Sequence, residues 1–163
     1  FMMKSGLGTY AVQMGDWILA AIVAVNALGD VIDADTSKPL AGILNKDKTS
    51  LYSIEEAMYE EYDKDRNVFS GNTTIGCIVT NARLSKSQAT KIASIAHNGF
   101  ARAIRPVHTM VDGDTVFVLA TGEVDVMPDA AGALAADVMA KAINRAVLAA
   151  EPAYGLKAAK DFL

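Results

Sequence analysis

Thr73 is the residue of this chain whose type and setting best suit nucleophilic chemistry. A long polar segment ends in Ser70-Gly71-Asn72, and Thr73 then opens a stretch of strand-forming residues. If the backbone at Asn72 is strained, the Thr73 hydroxyl can attack the Asn72 carbonyl carbon, take the acyl group from nitrogen and lose it to water. The freed α-amine, with a reference pKa of about 7.7 to 8.0, could accept the hydroxyl proton near neutral pH. Taken alone, this motif is a weak signal for catalysis, because Gly71-Asn72-Thr73-Thr74 is also an ordinary entry into a strand.

Other residues with reactive side chains are better explained as structural. His97 lies in a helical pattern and His108 lies beside a proline-containing turn, with no carboxylate at ligand spacing, so we expect a structural role for both. Cys77 lies inside a strand-like stretch, where a buried and inert thiol is the common case. One cysteine and two histidines cannot build a thiolate zinc site or an internal disulfide. Gly6-Leu7-Gly8 lacks the third glycine of a phosphate-binding loop. We therefore predict no metal site and no cofactor.

Composition indicates one packed globular domain over residues 1–163. Apolar residues make up 52% of the chain and charged residues 21%, which is typical of a folded protein. The formal net charge of −4 has the wrong sign for a chain that binds nucleic acid. The longest apolar run, Trp17–Leu28, is shorter than the roughly twenty residues of a membrane helix. No secretory signal pattern is visible, so we expect a cytoplasmic protein, and Phe1 in the first position indicates that the chain begins inside a longer one.

The first part of the chain predicts a β-hairpin followed by a long excursion. Gly8–Met14 and Trp17–Ala27 flank the turn residues Gly15-Asp16. The second strand is apolar at successive positions, so we expect it to be covered on both faces. Residues 30–72 are rich in charge and turn formers, which predicts an exposed linker with one short helix around Ile54–Tyr62.

The second part predicts two strand-to-helix units. Thr73–Ala82 has strand-forming residues, and Ser85 with Gln88 three residues later is typical of a capping box that starts a helix; Asn98-Gly99 either ends or interrupts that helix. After the turn Asp112-Gly113-Asp114, a strand is predicted over Thr115–Thr121, and Pro128 opens an alanine-rich helix to about Ala150. This order indicates an α/β fold in which the helices lie on a sheet.

Six ungapped blocks of the sequence resemble one known family, the DmpA-like aminopeptidases, also called the L-aminopeptidase/D-esterase family of N-terminal nucleophile hydrolases. The match runs through nearly the whole chain in the same order. The blocks are Lys4-Ser5-Gly6-Leu7-Gly8-Thr9, Val23-Ala24-Val25-Asn26-Ala27-Leu28-Gly29-Asp30, Gly71-Asn72-Thr73-Thr74-Ile75-Gly76, Val79-Thr80-Asn81-Ala82, Ala101-Arg102-Ala103-Ile104-Arg105-Pro106 and Asp112-Gly113-Asp114-Thr115-Val116-Phe117.

The resemblance implies a self-cleaving site. Thr73 matches the residue that becomes the N-terminal nucleophile after cleavage behind Asn72. Asn26 matches the asparagine whose side-chain amide helps to hold the oxyanion, a role that suits a neutral donor fixed on a rigid, dry strand. Lys4 matches a lysine at the active site, where a cation could keep the new amine neutral or assist the oxyanion. Outside the resemblance, Asn26 could equally be a core asparagine and Lys4 a surface lysine.

Two acidic residues complete the set of site residues that the resemblance implies. Asp112 and Asp114 match a pair that supports the nucleophile through charged hydrogen bonds, although a bare turn also favours Asp-Gly-Asp. Some family members have serine at the position of Asp112, and some use serine where this chain has Thr73.

The resemblance also implies a fold that this chain fills only in part. Family members form a four-layer αββα sandwich and are about twice this long, and their N-terminal half contributes strands and much of the substrate pocket. We expect residues 1–72 to be the end of the family's α part, including the linker at about 30–72, and residues 73–163 to be the β part. The missing half is then an expected partner. A homo-oligomer, with a tetramer favoured, would cover the remaining apolar surface.

The function that follows is amide hydrolysis through an acyl-enzyme on Thr73, with a short peptide or a related small amide as substrate. D- and L-aminoacyl amides, β-peptides, pantetheine-like amides and aminohexanoate oligomers all remain open. Two alternatives stay beside it. One is an acyltransferase similar to ornithine acetyltransferase, and the other is an uncleaved, non-catalytic association fragment.

Overall fold

The computed structural model describes residues 1–63 and 72–163, and it is built from one main sheet with two long helices. Two shorter sets of strands, a short helix and a single 3-10 turn at Ala159–Asp161 make up the other regular elements of the described part. In chain order the elements are β1 Leu7–Met14, β2 Trp17–Ala24, β3 Asp30–Ile32, β4 Pro39–Ala41, β5 Ile43–Leu44, β6 Leu51–Tyr52, α1 Ile54–Glu60, β7 Ile75–Ala82, α2 Lys86–Ala103, β8 Ile104–Arg105, β9 Thr115–Val124 and α3 Pro128–Leu148.

The main sheet has the strand order β1-β2-β7-β9. β1 and β2 form the predicted antiparallel hairpin, in which Met14 pairs with Trp17 across a two-residue loop. Gly15 has φ of +60°, the left-handed conformation that glycine adopts without steric cost. β7 and β9 are parallel neighbours joined through α2, so both predicted strand-to-helix units are confirmed.

The two long helices pack against each other and against one face of the sheet. The capping box is present, since the Ser85 hydroxyl accepts from the Gln88 N–H and the Gln88 side chain accepts from the Ser85 N–H. α2 continues through Asn98-Gly99, so the sequence pattern at that point marks neither an end nor a break. Instead, a Cβ on Gly99 would collide with the backbone of α3 at Ala136. The glycine is needed because the two helices approach closely there.

The opposite face of the main sheet is not covered by any residue that the structure describes. β2 alternates buried and exposed side chains, so the expectation that it is covered on both faces is wrong for this chain. We call this surface the outer sheet face, and it carries Ile18, Ile22, Ile75, Val79, Phe117 and Leu119, each between 38% and 59% exposed. The described residues therefore form one sheet layer and one helix layer of the expected four.

The segment after β2 is packed more firmly than the sequence suggests. Val31, Leu40, Leu44 and Ile54 are buried, so the interpretation of residues 30–63 as an exposed linker is wrong for much of that range. Apolar residues spaced among charged ones are enough to anchor short strands against the helices. The average composition of the segment is polar and therefore does not reveal these anchors. Residues 64–71, the end of the predicted linker, lie outside the described residues.

Two polar side chains fix this segment to the rest of the fold. The Asn144 amide of α3 donates to the Ile32 carbonyl at 2.7 Å and accepts from the Ala34 N–H at 2.9 Å. The Asp30 carboxylate accepts from the Ile54 N–H at 2.9 Å, at the start of α1. Burial is the main cause that raises the Asp30 pKa.

Within residues 1–63 and 72–163, the helices are all too short or too polar to cross a lipid bilayer.

Candidate active site

The Asn72–Thr73 peptide lies just ahead of β7, between the end of β2 and the start of β9. Its N–H donates to the Asn26 carbonyl at 2.9 Å, on the β2 side. Its carbonyl accepts from the Gly113 N–H at 3.1 Å, on the β9 side. This peptide is therefore held on both edges by backbone hydrogen bonds, and it continues the pairing of β7 with the chain segments on either side.

The Thr73 hydroxyl faces the carbonyl of the residue before it. Its Oγ1 donates to the Asn72 carbonyl oxygen at 2.7 Å. A Cβ placed on Gly113 would lie 2.7 Å from the same Oγ1, so only glycine leaves the hydroxyl room in this position. The Asn72 oxygen thus receives two donors, the Thr73 hydroxyl and the Gly113 N–H. When the Thr73 hydroxyl attacks the carbon it gives up its proton, so the Gly113 N–H is the donor of these two that can stabilise the negative charge developing on the Asn72 oxygen.

The two aspartates of the turn have different partners. Asp112 Oδ2 accepts from the Thr109 N–H at 2.8 Å and from the Thr109 hydroxyl at 2.9 Å, which shapes the loop before β9. Asp114 Oδ1 accepts from the Thr74 N–H at 2.8 Å, directly after the candidate nucleophile. The Asp114 side chain is 5% exposed, and burial is the largest cause that raises its pKa, with the nearby Asp112 charge also raising it. Of these two aspartate side chains, the one of Asp114 is hydrogen-bonded to the backbone of the residue that follows Thr73.

Asn26, Lys4 and Asn72 border one cavity, and this cavity has a volume of about 400 Å³. Asn26 lies two residues beyond the end of β2 and is exposed, so its expected position on a dry strand is wrong. Its backbone carbonyl nevertheless holds the Thr73 N–H, which brings it to the candidate nucleophile. Lys4 is half-buried, and its Nζ donates to the Ser5 carbonyl at 2.5 Å. The other walls of the cavity are mostly apolar, among them Met3, Leu28, Ile43 and Ile54.

His108 stands closer to the candidate site than the sequence indicated. Its Nδ1 lies 3.7 Å from Asp114 Oδ2, so the expectation that no carboxylate accompanies this histidine is wrong. The His97 ring of α2 packs edge-on against it, with ring centroids 5.1 Å apart. Burial is the main cause that lowers the His97 pKa. The signal that could have found this pair is the six-residue spacing from His108 to Asp114 across a single turn.

Thr74 and Cys77 lie near the site and make few polar contacts. Thr74 is fully buried, and its hydroxyl has no hydrogen-bond partner among the described residues. Cys77 is half-buried on β7, and burial raises the pKa of its thiol, which disfavours the reactive thiolate. The structural interpretation of Cys77 therefore agrees with its surroundings.

Comparison with known sequences identifies the family. Residues 1–160 match the model described as peptidase family S58. An uncharacterized aminopeptidase of Mycobacterium bovis is 36% identical and aligns with 98% of this chain and 52% of its own length. A 6-aminohexanoate-oligomer endohydrolase of Kocuria sp. is 31% identical, over 87% of this chain and 44% of its own length. The chain thus spans about half the length of the curated relatives it matches.

Two solved structures show which fold the chain has. The L-aminopeptidase D-Ala-esterase/amidase of Ochrobactrum anthropi, described as a variant of the N-terminal nucleophile hydrolase fold, superposes with a TM-score of 0.60 over 94% of this chain and 42% of its own, at 19% identity. A β-aminopeptidase of Burkholderia sp. gives 0.57 over 90% of this chain, at 23% identity. The fold is therefore the α/β fold of these hydrolases, present in part. The chain belongs to peptidase family S58, as its DmpA-like sequence blocks indicate.

Proposed function

We propose that this chain carries the self-processing site of an N-terminal threonine hydrolase that cleaves amide bonds in short peptides or related small amides. The observation that carries the proposal is the Thr73 hydroxyl, 2.7 Å from the carbonyl oxygen of the Asn72–Thr73 peptide. Membership in a peptidase family supports the same reaction class. Thr73 is the proposed nucleophile both for the cut in its own chain and for the later turnover of substrate.

Self-cleavage would begin with attack of Thr73 Oγ1 on the Asn72 carbonyl carbon. The new C–O bond replaces the C–N bond, and the hydroxyl proton passes to the departing nitrogen, which leaves Asn72 joined to Thr73 as an ester. Water then hydrolyses the ester to a carboxylic acid on Asn72 and a free hydroxyl on Thr73. The Gly113 N–H, 3.1 Å from the carbonyl oxygen, would stabilise the oxyanion of the first step.

The same residues would serve the mature site. The free α-amine of Thr73 would remain beside the Asn26 carbonyl, which now holds the peptide N–H at 2.9 Å. This amine would take the hydroxyl proton as Thr73 attacks a substrate amide and would return a proton to the leaving amine. Lys4 and the Asn26 side-chain amide border the cavity next to Asn72 and would stabilise the substrate oxyanion.

Substrate choice is proposed from the cavity and from the names of relatives. A volume of about 400 Å³ with mostly apolar walls suits a small acyl group better than a folded protein chain. Relatives are described as aminopeptidases and as 6-aminohexanoate-oligomer endohydrolases. Both names describe hydrolysis of an amide bond, so release of a residue from a short peptide or oligomer is the proposed reaction.

The outer sheet face supports the proposal that further chain belongs to the active assembly. Relatives carry about as much sequence again as this chain covers. We propose that the additional segment supplies a second sheet that packs on the outer sheet face, and that the completed units form a homo-oligomer, with a tetramer expected. Phe117 and Leu119, 56% and 59% exposed, would be buried in that contact.

Intact mass spectrometry under denaturing conditions tests the proposal. Fragments of residues 1–72 and 73–163, absent in Thr73→Ala, would support it, and an uncut chain would favour the non-catalytic association fragment. The acyltransferase alternative is tested by product analysis with and without an amine acceptor. An acylated amine as the main product would replace hydrolysis with acyl transfer, because both activities use the same acyl-enzyme.

A further inference from the structure

We propose that His108 is a positioning residue for Thr73, whose imidazolium holds the Asp114 carboxylate in the place from which it binds the Thr74 N–H. The inference rests on the proposed function, since it concerns the residue proposed as nucleophile. It adds to the site a residue that neither the sequence blocks nor the family assignment provides.

The first step of the argument is the geometry of Asp114. One carboxylate oxygen accepts from the Thr74 N–H at 2.8 Å, and the other lies 3.7 Å from His108 Nδ1. The Asp114 side chain is 5% exposed, whereas the His108 side chain is 42% exposed. An ion pair with one desolvated member is stronger than a pair fully in water, because water screens it less. Protonated His108 therefore anchors a carboxylate that has little solvent contact of its own.

The second step is that His108 is itself held in place. Its φ of +57° is uncommon for a residue other than glycine, although histidine and asparagine adopt it more readily than most. Its ring stacks on Phe100 with centroids 6.3 Å apart, and Phe100 is fully buried. The His97 ring packs against it from α2 at 5.1 Å. A ring fixed on two sides by α2 fixes in turn the position of Nδ1 beside Asp114.

The third step is the balance of charges around Asp114. The titratable groups that act on it are Asp112 of the same turn, His108, and His97 of α2. Burial and the Asp112 charge raise the Asp114 pKa, and the Thr74 N–H followed by the two histidines lowers it. Removing the His108 charge should therefore let Asp114 take up a proton at higher pH. A protonated Asp114 is a weaker acceptor for the Thr74 N–H, so Thr73 would lose its support on the acidic side.

The experiment is an NMR titration of the Asp114 carboxyl carbon and the Thr74 amide proton in the parent and in His108→Asn. Asparagine tolerates the left-handed backbone conformation but carries no charge. Each protein is prepared as Thr73→Ala, so that the chain stays intact during the measurement. We expect the Asp114 midpoint to move to higher pH in His108→Asn, and the Thr74 amide shift to follow it. His108→Lys, which retains a cation, should restore a midpoint close to that of the parent.

A matched variant, His97→Asn, makes the same substitution on the neighbouring ring, and it should move the midpoint less because the His97 charge is the weakest of the named causes. Equal titration midpoints of the Asp114 carboxyl carbon in the parent and in His108→Asn would overturn the proposal. With Thr73 intact, the parent should also be cut faster than His108→Asn by a larger factor at about pH 5 than at about pH 8, because Asp114 takes up its proton at higher pH in the variant. A shifted midpoint in a chain that is never cut would support the positioning role and refute self-cleavage.

Discussion

Gly113→Ala should slow the self-cleavage at Asn72–Thr73 without unfolding the chain. The added Cβ would lie 2.7 Å from Thr73 Oγ1, closer than a real Cβ contact, so the hydroxyl must leave its position. Moving it breaks the 2.7 Å hydrogen bond to the Asn72 oxygen and forces a poorer side-chain rotamer. To attack the Asn72 carbon, the hydroxyl must return to its original position against the added Cβ, and we take that cost as about 1 to 3 kcal/mol, the size of one rotamer strain plus one hydrogen bond. With about 1.36 kcal/mol for each tenfold change in rate, cleavage should slow roughly 5- to 150-fold.

The assay is a time course of intact mass after expression or refolding, with the uncut fraction measured at each time. Gly76→Ala is the matched control, because it adds the same methyl group on β7, where the nearest atom is the flexible end of Met139 at 2.6 Å. This control should be cut at nearly the parent rate even if its melting temperature falls. Cleavage of a folded Gly113→Ala protein at the parent rate would refute the role of this close approach.

Three other predictions concern stability and assembly. Thr74→Val removes a buried hydroxyl with no hydrogen-bond partner among the described residues, so the free energy of unfolding should rise by about 1 kcal/mol in denaturant titrations. A decrease in the free energy of unfolding would show that the hydroxyl is hydrogen-bonded. Burial raises the Asp30 pKa, so the stabilisation from its neutral form is complete below the ordinary value of 3.8 and is lost as pH rises through the raised pKa. The free energy of unfolding of the parent should therefore increase relative to that of Asp30→Asn as pH falls toward 4. A difference in unfolding free energy that does not change with pH would contradict this prediction. Replacing Phe117 and Leu119 together by serine removes about 1.5–3 kcal/mol of burial for each side chain. Binding of the separately supplied segment that relatives carry beyond this chain should therefore weaken at least about tenfold in sedimentation velocity. Equal binding of that segment by the parent and by the double variant would refute the docking role of the outer sheet face.

Local features of the fold could be predicted from the sequence because they depend on neighbouring residues. The Gly15-Asp16 turn and the Ser85 capping box are set within a few residues, and both are present. The exposure of one face of β2 could not be predicted. An apolar strand has the same residues whether its second face is covered by its own chain or by another segment. The buried anchors of residues 30–63 were missed for a related reason, since Asp30 finds its partner at Ile54, 24 residues away.

The candidate site shows the same division. Thr73 and Asp114 were predicted, and the structure joins Asp114 to the residue after Thr73. The structural role expected for His108 leaves out its contact with Asp114, because the six-residue spacing between them shows that they are near in sequence but not that the turn brings their side chains together. Gly113 was predicted only as part of a turn. Its importance lies in the space it leaves for the Thr73 hydroxyl, and that distance exists only in the folded chain.

The most direct test of the central claim is the denatured intact mass of the parent, Thr73→Ser and Thr73→Ala, each alone and together with the segment that relatives carry beyond this chain. Self-cleavage by the Thr73 hydroxyl predicts fragments of residues 1–72 and 73–163 in the parent and in Thr73→Ser, where the hydroxyl is kept, and an uncut chain in Thr73→Ala. A parent that stays whole under both conditions, or Thr73→Ala cut at the same bond, would contradict the claim.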